Sequence, residues 1–271
     1  MMVLGILVAA ALCHAGWNLL MKKATQDGPQ LAWLCAVIAA PVSVGLLVWA
    51  GLQGELAKTW PAGLVSMVLH TAYSVVLRWA YKAGDFNVVY SVSRGATPVI
   101  VTLAAIPWIG SPPPQVWVGV AAVVVGVMVM DRVASGRGSL PGVAVAGCSA
   151  AYTLWDGYAI ASLGVSVLPY LAVTNVGQLA VLSLVLGRRR RLDFSGWRRA
   201  VPIAVLTPAS YGLVLVAMSI SPVSTVAVGR TLNVAVGNLL GIVVLRERLT
   251  LVSVVGLTAV LAGVVLVSIG A

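Results

Sequence analysis

Ten apolar runs follow one another along the chain, each near the ~20 residues that a helix needs to cross a bilayer. They lie at 2–21, 31–52, 61–81, 87–109, 114–131, 141–163, 166–187, 200–220, 222–244 and 250–270. Polar residues collect in the short breaks between them, and the longest polar break, 188–199, leaves no room for a soluble domain. The pattern predicts an all-α integral membrane protein of ten transmembrane helices. The first run has no basic stretch before it and no small-residue cleavage pattern, so it reads as a span and not as a removed signal peptide.

Composition agrees: 60% of the 271 residues are hydrophobic and 9% charged, where a soluble domain carries about a quarter charged residues. The net charge of +10 would suggest nucleic acid as a partner, but no basic face with interleaved aromatics exists to bind it. The cations lie between the apolar runs instead. Loops after runs 1, 3, 5, 7 and 9 hold Lys22, Lys23, Lys82, Arg132, Arg137, Arg188 to Arg191, Arg198, Arg199, Arg246 and Arg248, and the opposite side holds Lys58 alone. By the positive-inside bias this predicts a cell (inner) membrane protein with both termini on the outer side. Cys13, Cys35 and Cys148 fall inside apolar runs at unpatterned spacing and read as small packing residues.

A repeat runs through these spans. Trp17 and Trp155 lie 138 residues apart, as do Tyr73 and Tyr211; Arg94 and Arg230 lie 136 apart, and Gly119/Gly126 and Gly256/Gly263 lie 137 apart. Residues 1–135 and 136–271 are therefore expected to be two five-helix copies. An odd number of spans per copy turns the second one upside down, the inverted-repeat plan of many secondary transporters.

Polarity inside the spans marks the chemistry. Arg94 and Arg230 each sit about eight residues, or ~12 Å, into a span, and intramembrane arginines face a bundle interior or a water-filled cavity. In inverted copies the two straddle the midplane, where a substrate would bind; the alternative is that each is neutralised by helix carbonyls and a local acid. Asp156, deep in the sixth run, lies at nearly the depth of Arg230, either as a proton-coupling group that exchanges this partner or as its permanent counter-ion. Its repeat counterpart is Asn18, with His14 one turn earlier as a proton relay or an interhelical hydrogen bond. His70 has no polar match in the second copy. Tyr73, Tyr90, Tyr152, Tyr158, Tyr211, Trp17 and Trp155 can line a cavity with an apolar body and a polar tip, or serve packing. Pro41, Pro98, Pro107, Pro202 and Pro208 predict broken or bent segments, and the paired glycines predict close contact in helices 5 and 10, as support or as a homodimer surface.

Among other chemistries, no phosphate-binding Gly-x-x-x-x-Gly-Lys-Ser/Thr loop occurs, and neither clustered carboxylates nor Cys/His metal spacing is present. The chain is expected to be no enzyme and to carry no cofactor.

The stretches His14-Ala15-Gly16-Trp17-Asn18, Ala80-Tyr81-Lys82-Ala83-Gly84-Asp85 and Ser93-Arg94-Gly95-Ala96-Thr97-Pro98 resemble the EamA family of the drug/metabolite transporter superfamily. So does Arg246-Glu247-Arg248-Leu249-Thr250 leading into Gly256 and Gly263. The resemblance covers essentially the whole chain and implies a ten-helix carrier of small metabolites, often an exporter. The first copy departs from it with Gly110-Ser111-Pro112-Pro113-Pro114 where the family often has an acidic-basic pair. Two classes follow: a secondary active transporter of a small polar or anionic metabolite, surrounded by membrane lipid, or a membrane-embedded enzyme or lipid-handling protein that grips a phosphorylated headgroup with the two arginines.

Overall fold

The computed structural model describes residues 2–22, 28–130, 138–188, 194–236, 239 and 251–270, and every regular element among them is helical. In chain order these are α1 (Met2–Lys22), α2 (Gly28–Leu52), α3 (Leu56–Ala83), α4 (Phe86–Ile109), α5 (Pro114–Met130), α6 (Ser139–Ala161), α7 (Val167–Arg188), α8 (Trp197–Ile220), α9 (Val223–Gly229) and α10 (Leu251–Gly270). Of these, α1, α2, α3, α4, α7 and α8 are long and apolar enough to cross a membrane by length and composition, and 114–129 and 254–269 are shorter apolar helices. Lys23, Arg132, Arg137, Arg189 to Arg191 and the segment Arg246–Thr250 lie outside the described residues.

Two expectations about helix continuity need correction. The ninth run is not one helix: α9 stops at Gly229, Arg230 and Thr231 form a turn, and helix resumes over 232–236. Here the ladder tightens to three-residue steps, with Thr231 N donating to Val228 O at 3.0 Å, Asn233 N to Arg230 O at 3.1 Å and Val234 N to Thr231 O at 2.9 Å. Conversely, α2, α4 and α8 run on as helix through Pro41, Pro98, Pro107, Pro202 and Pro208. The prolines do not break their helices; the break falls in a stretch with no proline.

The bundle is apolar on its outside, with Val42, Val48, Trp49, Val68, Val75, Leu103, Val125, Leu184, Val205 and Leu261 all exposed. Such continuous apolar exposure marks a membrane-facing surface. Inside, α1 packs on α8, α3 on α6, α2 on α7 and α4 on α6. With lipid as solvent the hydrophobic effect adds little between helices, so polar bonds and close approach have to hold them. Trp33 Nε1 donates to Ser183 Oγ at 2.9 Å and Asn175 Nδ2 to Ser43 Oγ at 3.0 Å, joining α2 to α7. Ser210 Oγ donates to Ala10 O at 3.0 Å, joining α8 to α1.

The tightest contact is between α5 and α10. A Cβ on Gly126 would lie 2.7 Å from the carbonyl oxygen of Gly256, and one on Gly119 2.6 Å from that of Gly263. Early α5 meets late α10 and late α5 meets early α10, so the two helices run antiparallel, and backbones this close leave space for hydrogen alone. Of the two roles expected for these glycines, the contact within the chain is the one present.

Gly126→Leu should therefore destabilise the protein by about 1–3 kcal/mol, the usual range for overpacking a filled contact. Gly45→Leu, where an added Cβ meets nothing within 4 Å, should not; thermal unfolding of the two purified variants checks the contrast.

Candidate functional site

The break in the ninth run opens onto a cavity. It has a volume of about 50 Å³, and Arg94, Thr97, Ser149, Tyr152, Arg230 and Asn233 are among its lining residues. Irregular backbone at membrane depth is tolerated where it lines a polar cavity, and the turn at Arg230–Thr231 does so from one side while α4 supplies the opposite wall. The volume holds a few waters; an ordinary ligand pocket begins near ~300 Å³.

Each guanidinium is held by neutral groups. Arg94 lies over the ring of Tyr90, one turn back on α4, at 5.1 Å. Arg230 donates from Nη1 to Thr153 Oγ1 at 2.9 Å and from Nη2 to Tyr152 Oη at 3.0 Å. It also lies 5.5 Å from the ring of Tyr152 and 5.6 Å from that of Tyr211. Aromatic faces attract such cations but leave the charge in place. Among the described residues neither arginine has a carboxylate partner, which corrects the expected Asp156–Arg230 pair.

Asp156 is instead part of a separate cluster. Its carboxylate is wholly buried and takes a bond from Tyr170 Oη to Oδ1 at 2.5 Å, another from Tyr211 Oη to Oδ2, and a contact from His70 Nε2 to Oδ2 at 3.2 Å. His70 in turn stacks on Tyr152, centroids 4.1 Å apart, and meets Tyr211 edge-on at 5.2 Å. Tyr152, which lines the cavity, and Tyr211, whose ring lies by Arg230, thus connect the arginine cavity to the carboxylate cluster.

The structure brings Arg94, Arg230 and Tyr73 into the cavity lining, with Tyr90 and Tyr211 behind the guanidiniums. Trp17, Asn18, Trp155 and His14 lie outside that lining. The indole of Trp155 donates to Ala62 O at 3.0 Å and ties α6 to α3; the Asn18 amide returns to the carbonyl of His14 at 2.8 Å. His14 meets Trp17 edge-on at 4.9 Å, and Trp17 packs against the cluster of buried residues that includes Leu31, Leu34 and Ala200. Sequence reasoning missed His70, which comes from another helix and has no repeat counterpart. It also passed over Thr153, which the α-helical period places one turn before Asp156 on the same face.

An apolar-faced helical bundle with a cationic cavity at a broken helix is the build of a membrane transport protein. Residues 137–269 match the sequence profile of the EamA-like transporter family, and the chain belongs to that family, whose members are membrane transporters of the drug/metabolite superfamily. No curated protein matches the sequence. A solved structure described only as a crystal structure of a protein is similar over 98% of this chain and 96% of its own, with a TM-score of 0.74 at 15% identity; at that identity the likeness is one of fold alone.

Tyr170→Phe should leave the protein folded yet less stable by about 1.5–3 kcal/mol, the usual loss for one hydrogen bond to a buried charge. Thermal unfolding in detergent measures it.

Proposed function

We propose that the protein is a secondary active transporter of a small anionic metabolite, working by alternating access between residues 1–135 and 136–271 arranged as inverted repeats of five spans. The carrying observation is the pair of guanidiniums on one cavity, each held by neutral groups and neither by a carboxylate among the described residues. Two unneutralised cations at membrane depth are a costly arrangement unless an anion visits them. A carboxylate or phosphate suits both, since a guanidinium binds either through two parallel hydrogen bonds.

The glycine contacts support the inverted repeat. A shift of 137 residues carries Gly119 to Gly256 and Gly126 to Gly263, so it turns the Gly119–Gly263 contact into the Gly256–Gly126 contact. Exchange of this kind is the mark of a two-fold axis between two copies. In this reading both termini face the outer side of the inner membrane, and a cavity of about 50 Å³ is too small for the substrate, so α4 and the broken ninth span must part for it to enter.

Thermal stability of the purified protein across a panel of carboxylates, sugar phosphates, amino acids and cationic drugs tests this. One anionic class at a hundredfold over its dissociation constant should add ~2.7 kcal/mol, and Arg94→Ala and Arg230→Ala should each remove that gain while still inserting into membranes. Stabilisation that survives both substitutions, or that follows phospholipid headgroups alone, would move the site elsewhere or make it a lipid site.

A further inference from the structure

We propose that His70 and Asp156 form one proton-binding site that fills together with the anion site, one proton per anion. The inference rests on the anion-carrier reading above and supplies its coupling group.

Hydrogen-bond roles set the starting state. An ionised carboxylate only accepts, and the two tyrosine hydroxyls and the imidazole around Asp156 can all donate to it. With Nε2 of His70 donating to Oδ2, the ring lone pair is on Nδ1. The His70 side chain is 34% exposed while that of Asp156 is 0% exposed, so histidine is the more accessible of the two to a proton. An N–H bond forms at Nδ1, the imidazole becomes an imidazolium, and its new charge stands beside the carboxylate at 3.2 Å. Histidine is the side chain that ordinarily makes this change near neutral pH.

Link to the cavity comes from the shared rings. Tyr152 and Tyr211 are the two aromatic faces that hold Arg230, and His70 contacts both. A proton on His70 puts a second cation against the rings that hold Arg230, and like charges repel most strongly where water is scarce. Arg230 is then held less firmly on its own wall and more available to an anion in the cavity. By the same coupling, an anion that neutralises Arg230 eases protonation of His70, because linkage between two binding sites is reciprocal. The groups that face the pair are Tyr73 beside Tyr152 from α3, Tyr152 from α6, Tyr170 from α7, Tyr211 from α8 and Arg230 after α9, with Arg94 of α4 across the cavity.

The test measures proton uptake on anion binding, with a pH-indicator dye in weakly buffered detergent solution and with phosphate, sulfate, di- and tricarboxylates and sugar phosphates as probes. For wild type we expect about one proton taken up per anion bound, and affinity that rises about tenfold for each pH unit lowered over the range in which that uptake occurs. His70→Gln and Asp156→Asn should each bind the anion with no uptake and a flat pH profile. His70→Gln, which changes the more exposed partner, keeps the question open to an answer if Asp156→Asn does not fold. Anion binding in wild type without proton uptake, or uptake that persists in His70→Gln, overturns the coupling and leaves the anion site standing. Failure of every anion to bind overturns both.

Discussion

A guanidinium cannot lose its charge at any ordinary pH, so burying one within a membrane protein fixes what its surroundings must be. Much of the interior here can be understood as an answer to Arg230. The helix that bears it opens into a turn, Thr153 and Tyr152 accept its hydrogen bonds, and it lies over two aromatic rings. Arg94 is answered more sparingly, by one ring from its own helix. The two cations therefore meet across one small space with their charge intact, and the chemistry of that space follows from electrostatics more than from shape.

The acid that might have cancelled one of these charges is kept away from it. Asp156 lies one turn further along α6 than Thr153 and Tyr152, and its carboxylate is consumed by Tyr170, Tyr211 and His70. Tyr211 stands between them, its hydroxyl on the carboxylate and its ring by Arg230, which keeps the opposite charges in communication without letting them pair. A direct ion pair would have been a simpler way to bury both groups, yet it would have left the cavity with little to offer an anion.

Much of the fold was legible because the bilayer imposes a length on apolar runs. The predicted 87–109 and 250–270 compare with α4 at Phe86–Ile109 and α10 at Leu251–Gly270. Depth within the runs drew attention to Arg94, Arg230 and Asp156, of which the two arginines line the cavity and Asp156 lies buried in the cluster beside it. What depth does not carry is direction around the helix or the identity of the facing helix. Asp156 and Arg230 at similar depth thus suggested a pair, whereas the arginine reaches residues one turn earlier on α6. His70 was given little weight because the repeat offered no counterpart, although a repeat only has to preserve packing, and one copy is free to acquire chemistry the other lacks. The break at Arg230 had no local signal, since Val223–Gly229 continues into Arg230 without a proline and tertiary demand for the guanidinium decides where the helix yields.

The glycine contact between α5 and α10 bears on movement. Two backbones in contact through carbonyl oxygens have no slack to slide or separate without losing the whole interface, whereas the cavity walls meet through side chains that can change rotamer. Rearrangement in this bundle is thereby steered away from the glycines and toward the arginines, and α5 with α10 serves as a fixed spine against which the other helices can lean.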